Sequence, residues 1–203
     1  MDFKRPEASE LPVGTEELAR VLLGMALVRD SADGRCAGRI VETEAYVIGD
    51  PASHAYVGPR ERTASMFLEP FHSYVYLIYG TSYCFNVTSE ARGEGGGVLV
   101  RALEPLDGIQ IMERRRRTNA LRDLCRGPGR LTQALDIDRS LDGRPLLTDP
   151  DLWLARAPRA RGPVGVSRRI GITRAAHRRL RFYERGNPFV SGPRTLSPPE
   201  NTP

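Results

Sequence analysis

The chain is expected to fold as α+β, a single compact domain with a mainly antiparallel sheet of hairpins and peripheral helices. Three features of its 203 residues lead there. Runs of alternating, β-branched and aromatic residues recur, above all Gly38 to Val47, Ser73 to Thr88 and Val98 to Leu103, with the period of two that marks strands. Turn residues such as Asp33-Gly34 and Gly80-Thr81-Ser82 fall directly between such runs, so sequential strands should pair as hairpins. Helical periodicity is confined to short stretches, and no repeat or interdomain linker interrupts the chain.

Taken in order, residues 1–12 read as a flexible arm, residues 13–192 as the domain and residues 193–203 as a disordered tail. Thr15 can cap a helix from Glu16 to about Met25, with acidic residues in its first turn and Leu18, Val21, Leu22 and Met25 on one stripe. Ala26 to Arg29 is a short strand, and Arg39 to Val47 is its hairpin partner. A polar loop from Gly49 to Pro59 follows, carrying His54. A loop leaving a strand end is well placed for chemistry, although an isolated histidine is more often structural.

Ser73 to Tyr79 is a strong strand with Tyr74, Tyr76 and Ile78 on one face, and Tyr83 to Thr88 returns from it. Tyr79 then sits at the hairpin tip, where a large aromatic either caps a neighbour or projects to be used. Val98 to Leu103 is another strand, with Arg101 sharing the face of Leu99 and Leu103 and so needing an anionic partner. A helix after Asp107-Gly108 turns Ile109 and Met112 inward and ends in Arg114 to Arg117, which suits the helix dipole or contact with phosphate. Gly127-Pro128-Gly129 opens a helix through Leu135. Leu146-Leu147, Leu152 to Leu154, Val164 to Ile172 and Leu180 to Glu184 read as further strands.

The least ordinary stretch is Gly38 to Tyr46. Alternation puts Val41, Thr43 and Ala45 on one side and Ile40, Glu42, Glu44 and Tyr46 on the other. Two carboxylates about 7 Å apart on one face are costly to bury, so something must compensate them.

Composition narrows the classes. A net charge of +5 and a pI near 9.4 favour a polyanionic partner. Lys4 is the only lysine, and the arginine preference reads first as a GC-rich coding bias and second as a preference for bidentate phosphate contact. Cys36, Cys84 and Cys125 are isolated, as are His54, His72 and His177, so neither a disulfide framework nor a metal site is suggested. There is no run of eighteen apolar residues and the start lacks an apolar signal core, so no membrane association and a cytoplasmic location are expected.

Several ordered motifs resemble the alkyladenine (3-methyladenine) DNA glycosylase family: residues 38–46, 50–56, Met66-Phe67, 74–80, 84–87, 98–105, 127–135 and 180–191. The resemblance implies a single domain with a curved antiparallel sheet, no cofactor or metal, and a monomer acting on double-stranded DNA containing damaged purines. It implies that Glu44 is the general base activating water, with Arg101 and the backbone carbonyl near Ile170 completing that water's site. Tyr46, His54 and Tyr76 correspond to groups contacting the flipped base, Asn86 to the residue excluding guanine, and Tyr79 to the aromatic wedge in the duplex. Arg62-Thr63 replaces the family's Arg-Asn, and Thr173 to His177 departs from its pattern.

The chemistry suits these residues. A base inside a duplex must be extruded before its glycosidic bond can be reached, and a cationic alkylpurine should gain from tyrosine faces. With Lys4 and the N-terminus as the sole amines, Schiff-base lyase chemistry is disfavoured and simple hydrolysis to an abasic site is expected. Two other classes stay open: a non-catalytic nucleic-acid-binding module, and a carbohydrate glycosidase using Glu42 with Glu44.

Overall fold

A computed structural model of the chain describes residues 1–193. Its elements, in order, are α1 (Thr15–Leu22), β1 (Met25–Ser31), β2 (Gly34–Tyr46), β3 (Ser73–Ile78), β4 (Ser82–Ser89), β5 (Gly96–Asp107), α2 (Ile109–Arg116), α3 (Pro128–Leu135), β6 (Leu152–Arg156), β7 (Val164–Ser167) and β8 (Arg181–Glu184). The fold is α+β. One antiparallel sheet runs β3-β4-β5-β2-β1-β6, with β8 also on β2 and β7 on β8.

The centre of the sheet is β2. One edge pairs with β5 along most of its length, while β1 takes residues 34–39 and β8 takes Glu42 to Glu44. The strand bends between these two partners. Ile40 faces Leu103 and Glu42 faces Ala102, but Thr43 faces Val100, so Val41 on β2 and Arg101 on β5 are each left out of the ladder. Such extra residues bend a strand and re-aim its side chains. They correct the simple alternation: Ile40 joins Ala45 in the main core, while Val41 packs with Ala102 and Tyr183. Leu103 also enters the core, so Arg101 shares the cavity side with Leu99 alone.

The main core lies between the sheet and the helices, where Leu18 and Leu22 of α1 and Leu131 and Leu135 of α3 meet Val87, Val98 and Val100. Val21, expected on the buried stripe, is 37% exposed, and Ala19 is buried instead. Gly14, not Thr15, occupies the N-cap of α1. The Thr15 hydroxyl instead bonds Ser89 and Glu90, tying the helix start to the end of β4. Thr43, a polar residue on the core face, is satisfied by donating to the Ala19 carbonyl at 2.8 Å.

Two further expectations change. The first twelve residues are not a loose arm: Phe3 is buried edge-on against Trp153, Lys4 bridges to Arg156, and Arg5 lies over the Trp153 ring. Apolar burial and the backbone pairing hold this segment against β6. Leu146-Leu147 is a turn, and β7 ends at Ser167, short of Ile172. Of the tail expected to be disordered, only Pro193 falls within the described residues.

Candidate active site

A cavity of about 510 Å³ opens between the β3–β4 hairpin, the C-terminal end of β2, the loop around His54 and the Ile170 to Ile172 segment. Its aromatic wall follows from strand alternation. Tyr74 and Tyr76 share one face of β3, with ring centres 5.2 Å apart. His54 starts a short 3-10 turn (His54–Val57) capped by the Ser53 hydroxyl, and its ring packs against Tyr76 at 4.6 Å. His54 Nδ1 and the Tyr74 hydroxyl lie 2.9 Å apart in a hydrogen bond. Burial, with Arg62 nearby, holds the imidazole below its usual pKa and favours the neutral ring. Burial pushes the Tyr74 phenol up to about 12.

Asn86 stands on β4 opposite Tyr74 and donates from its side-chain nitrogen to the Tyr74 carbonyl at 3.0 Å, which fixes the amide at the cavity wall. Tyr79 occupies the hairpin tip at the cavity rim, 92% exposed. Its φ is 49° and that of Gly80 is 70°, so the turn places a bulky aromatic in the left-handed region. That conformation is unfavourable for such a side chain and is commonly kept where function uses it.

Beneath the floor of the cavity lies Glu44, fully buried. One carboxylate oxygen accepts the Ile170 N–H at 2.7 Å. The other accepts the Tyr46 hydroxyl at 3.0 Å and faces the Arg101 guanidinium at 3.3 Å. Burial pushes the Glu44 carboxyl above its ordinary value; Arg101 and the Ile170 N–H oppose this, and Glu42 adds to it. Arg101 therefore offsets the burial of this charge only in part. Arg101 itself is held above its usual value, because Glu44 and Glu42 outweigh the desolvation that would lower it.

Glu42 has a different environment. It accepts from Arg101 at 3.2 Å, from Arg181 at 2.6 Å and from the Ser191 N–H at 2.6 Å, walled off by β8 and the segment after it. The structure therefore brings Tyr46, His54, Tyr76, Tyr79, Asn86, Arg101 and Ile170 to one cavity, with Glu44 directly under three of them. Ile170 meets Glu44 through its N–H.

Sequence reasoning missed Tyr74 as a wall residue, although the alternation that places Tyr76 places it too. It also missed Arg169 and Asp50. Both are buried and paired, and the Arg169 guanidinium lies 4.6 Å over the Tyr46 ring. No local pattern joins residues so far apart in sequence. The Arg114 to Arg117 run divides: Arg115 bonds Ser31, Asp33 and the Ala134 carbonyl, while Arg116 bonds the Leu124 carbonyl and Gln133. Thr63 bonds the Arg60 N–H and closes the start of the next 3-10 turn (Glu61–Phe67).

An aromatic cavity with a carboxylate beneath it has room for a flat ring beside a water, and the chain has relatives of closely similar sequence. A protein of Mesorhizobium japonicum, provisionally named 3-methyladenine DNA glycosylase, is 59% identical over 93% of this chain and 90% of its own. A Paraburkholderia phytofirmans protein with the same provisional name is 52% identical over 92% and 88%. One from Granulibacter bethesdensis is 48% identical over 88% and 83%. The sequence model of the methylpurine-DNA glycosylase family matches residues 10–188, so this chain belongs to that family and is a DNA glycosylase.

Proposed function

We propose that the protein, acting as a monomer in the cytoplasm, flips a damaged purine out of duplex DNA into the aromatic cavity and hydrolyses its N-glycosidic bond. The observation that carries this reading is the position of Glu44, directly below Tyr46, Arg101 and the Ile170 N–H at the cavity floor. A carboxylate has about four acceptor positions, and these three contacts leave about one for a water admitted through the floor.

Extrusion costs a few kcal/mol, least for a damaged or mispaired base. Tyr79, exposed at the rim, fills the vacated stack as an aromatic wedge. Tyr46 and Tyr76 contact the extruded base, with stacking worth about 1–3 kcal/mol, and neutral His54 hydrogen-bonds or packs at its edge. Asn86, its amide fixed by the Tyr74 carbonyl, crowds the exocyclic amine of guanine.

Cleavage builds positive charge on the sugar. Ionised Glu44 stabilises that charge and takes the proton of the attacking water, while Arg101 favours its ionised form. The bond from the sugar to the base nitrogen breaks, a water oxygen bonds to the sugar carbon, and the base leaves. With Lys4 and the N-terminus the sole amines, and neither among the residues lining the cavity, the reaction ends at the abasic site. Glu42 cannot serve as a second catalytic carboxylate, because Arg181 and the Ser191 N–H shut it away from the cavity.

The test is single-turnover excision from duplex oligonucleotides carrying 3-methyladenine, 7-methylguanine, hypoxanthine or ethenoadenine, with normal adenine and guanine as controls. Release of damaged bases alone supports the proposal. A borohydride-trapped protein–DNA adduct would refute the purely hydrolytic course.

A further inference from the structure

Arg169 has an unusual environment. Its side chain is fully buried, and one terminal nitrogen donates to the Asp50 carboxylate and, at 3.0 Å, to the Ala45 carbonyl. Its Nε and other terminal nitrogen are buried with no hydrogen-bond partner among the described residues. The group they face instead is aromatic: the guanidinium carbon lies 4.6 Å from the centre of the Tyr46 ring. Tyr46 lines the cavity and Arg169 does not, so the guanidinium engages the ring from outside the space where a base would stack. Asp50, also fully buried, pairs from the side and has Arg178 at 3.9 Å as a second, half-exposed partner.

We propose that Arg169, held by Asp50, is a specificity-determining residue that lowers the preference of the cavity for cationic purines relative to neutral ones. This rests on the glycosylase reading of the cavity given above. A ring attracts a cation through its negative π face. In Tyr46 that attraction is already engaged from behind by a fixed guanidinium. A cationic base on the front face meets a weakened quadrupole and a like charge one ring thickness further on. A neutral base loses little by the same arrangement and still gains a ring held in one orientation. Tyr76, packed by His54 and Tyr74, has no such cation behind it among the described residues and remains attractive to both kinds of base.

The experiment compares kcat/KM for duplexes carrying 7-methylguanine, whose base is cationic, and hypoxanthine, whose base is neutral. The proteins are the wild type, the double variant Arg169→Met with Asp50→Asn, and Arg169→Lys. The double variant removes the charge without stranding a buried carboxylate. It should raise the ratio of 7-methylguanine to hypoxanthine excision by about fivefold, a modest figure because Asp50 already offsets part of the charge. Arg169→Lys, which keeps the charge, should stay within about twofold of the wild-type ratio. Equal changes for both lesions in the double variant would overturn the proposal and leave Arg169 a structural anchor. Failure of the wild type to release either base would overturn the reading of the cavity itself and this proposal with it.

Discussion

Glu42 and Glu44 stand two residues apart on β2, both fully buried, and both touch Arg101, yet the fold treats them differently. Glu42 is enclosed by two arginines and a backbone N–H on the side of β8. Glu44 has one arginine, at a longer 3.3 Å, and its remaining partners belong to the cavity floor. The strand bend between Ile40 and Thr43 separates them, sending one carboxylate toward the β8 side and the other under the cavity. A buried charge with complete ionic partnership is a structural element, whereas one left short of partners beside a cavity is poised to react.

The sharpest way to break this contrast is to neutralise each carboxylate in turn. Glu44→Gln should lower single-turnover excision by about 10²–10⁴-fold, the range expected for loss of a general base, while lesion binding persists. Retention of near-wild-type excision would end the catalytic reading of Glu44. Glu42→Gln should act on folding instead. Removing one member of a buried ion-pair cluster costs about 3–5 kcal/mol, visible as a lower midpoint in urea unfolding. Per folded molecule, its excision should fall far less than that of Glu44→Gln.

A smaller effect is expected at Tyr79, whose side chain is 92% exposed and so adds little to the packing of the fold. Tyr79→Ala should reduce excision from duplex DNA by about tenfold to a hundredfold and leave the urea midpoint unchanged. Single-stranded substrate, with no stack to fill, should show a smaller loss. An equal loss on both substrates would remove the wedge role.

The contrast between the carboxylates also marks how far the sequence could be read. The awkward face of Gly38 to Tyr46, the tyrosines of β3 and the exposed tip were all visible as period-two patterns and turn chemistry. The helix from Pro128 to Leu135 was likewise set by its local residues. What alternation could not show was the paired bulge at Val41 and Arg101, because a bulge depends on how two strands match and not on either alone. It returned Ile40 and Leu103 to the core and left Arg101 bridging two carboxylates. The partners Arg181 for Glu42 and Arg169 for Asp50 were invisible for a similar reason, since they join strands and loops distant in sequence.

The smallest expected effect concerns pH, and here the two roles of Glu44 carry opposite signs. Burial raises its pKa in the folded protein above the unfolded value. Between those two values the native state binds more protons than the unfolded chain, so the contribution of this group to stability is present at lower pH and lost as pH rises through the folded pKa. A general base must be ionised, so excision should rise over the same interval, by up to about tenfold per pH unit below the folded pKa. Other carboxylates titrate nearby, and the difference between wild type and Glu44→Gln isolates this one. That difference in unfolding free energy should fall with rising pH while wild-type excision climbs. If both curves rose together, Glu44 would be held below its ordinary pKa, its burial would be fully compensated by Arg101, and its contrast with Glu42 would vanish.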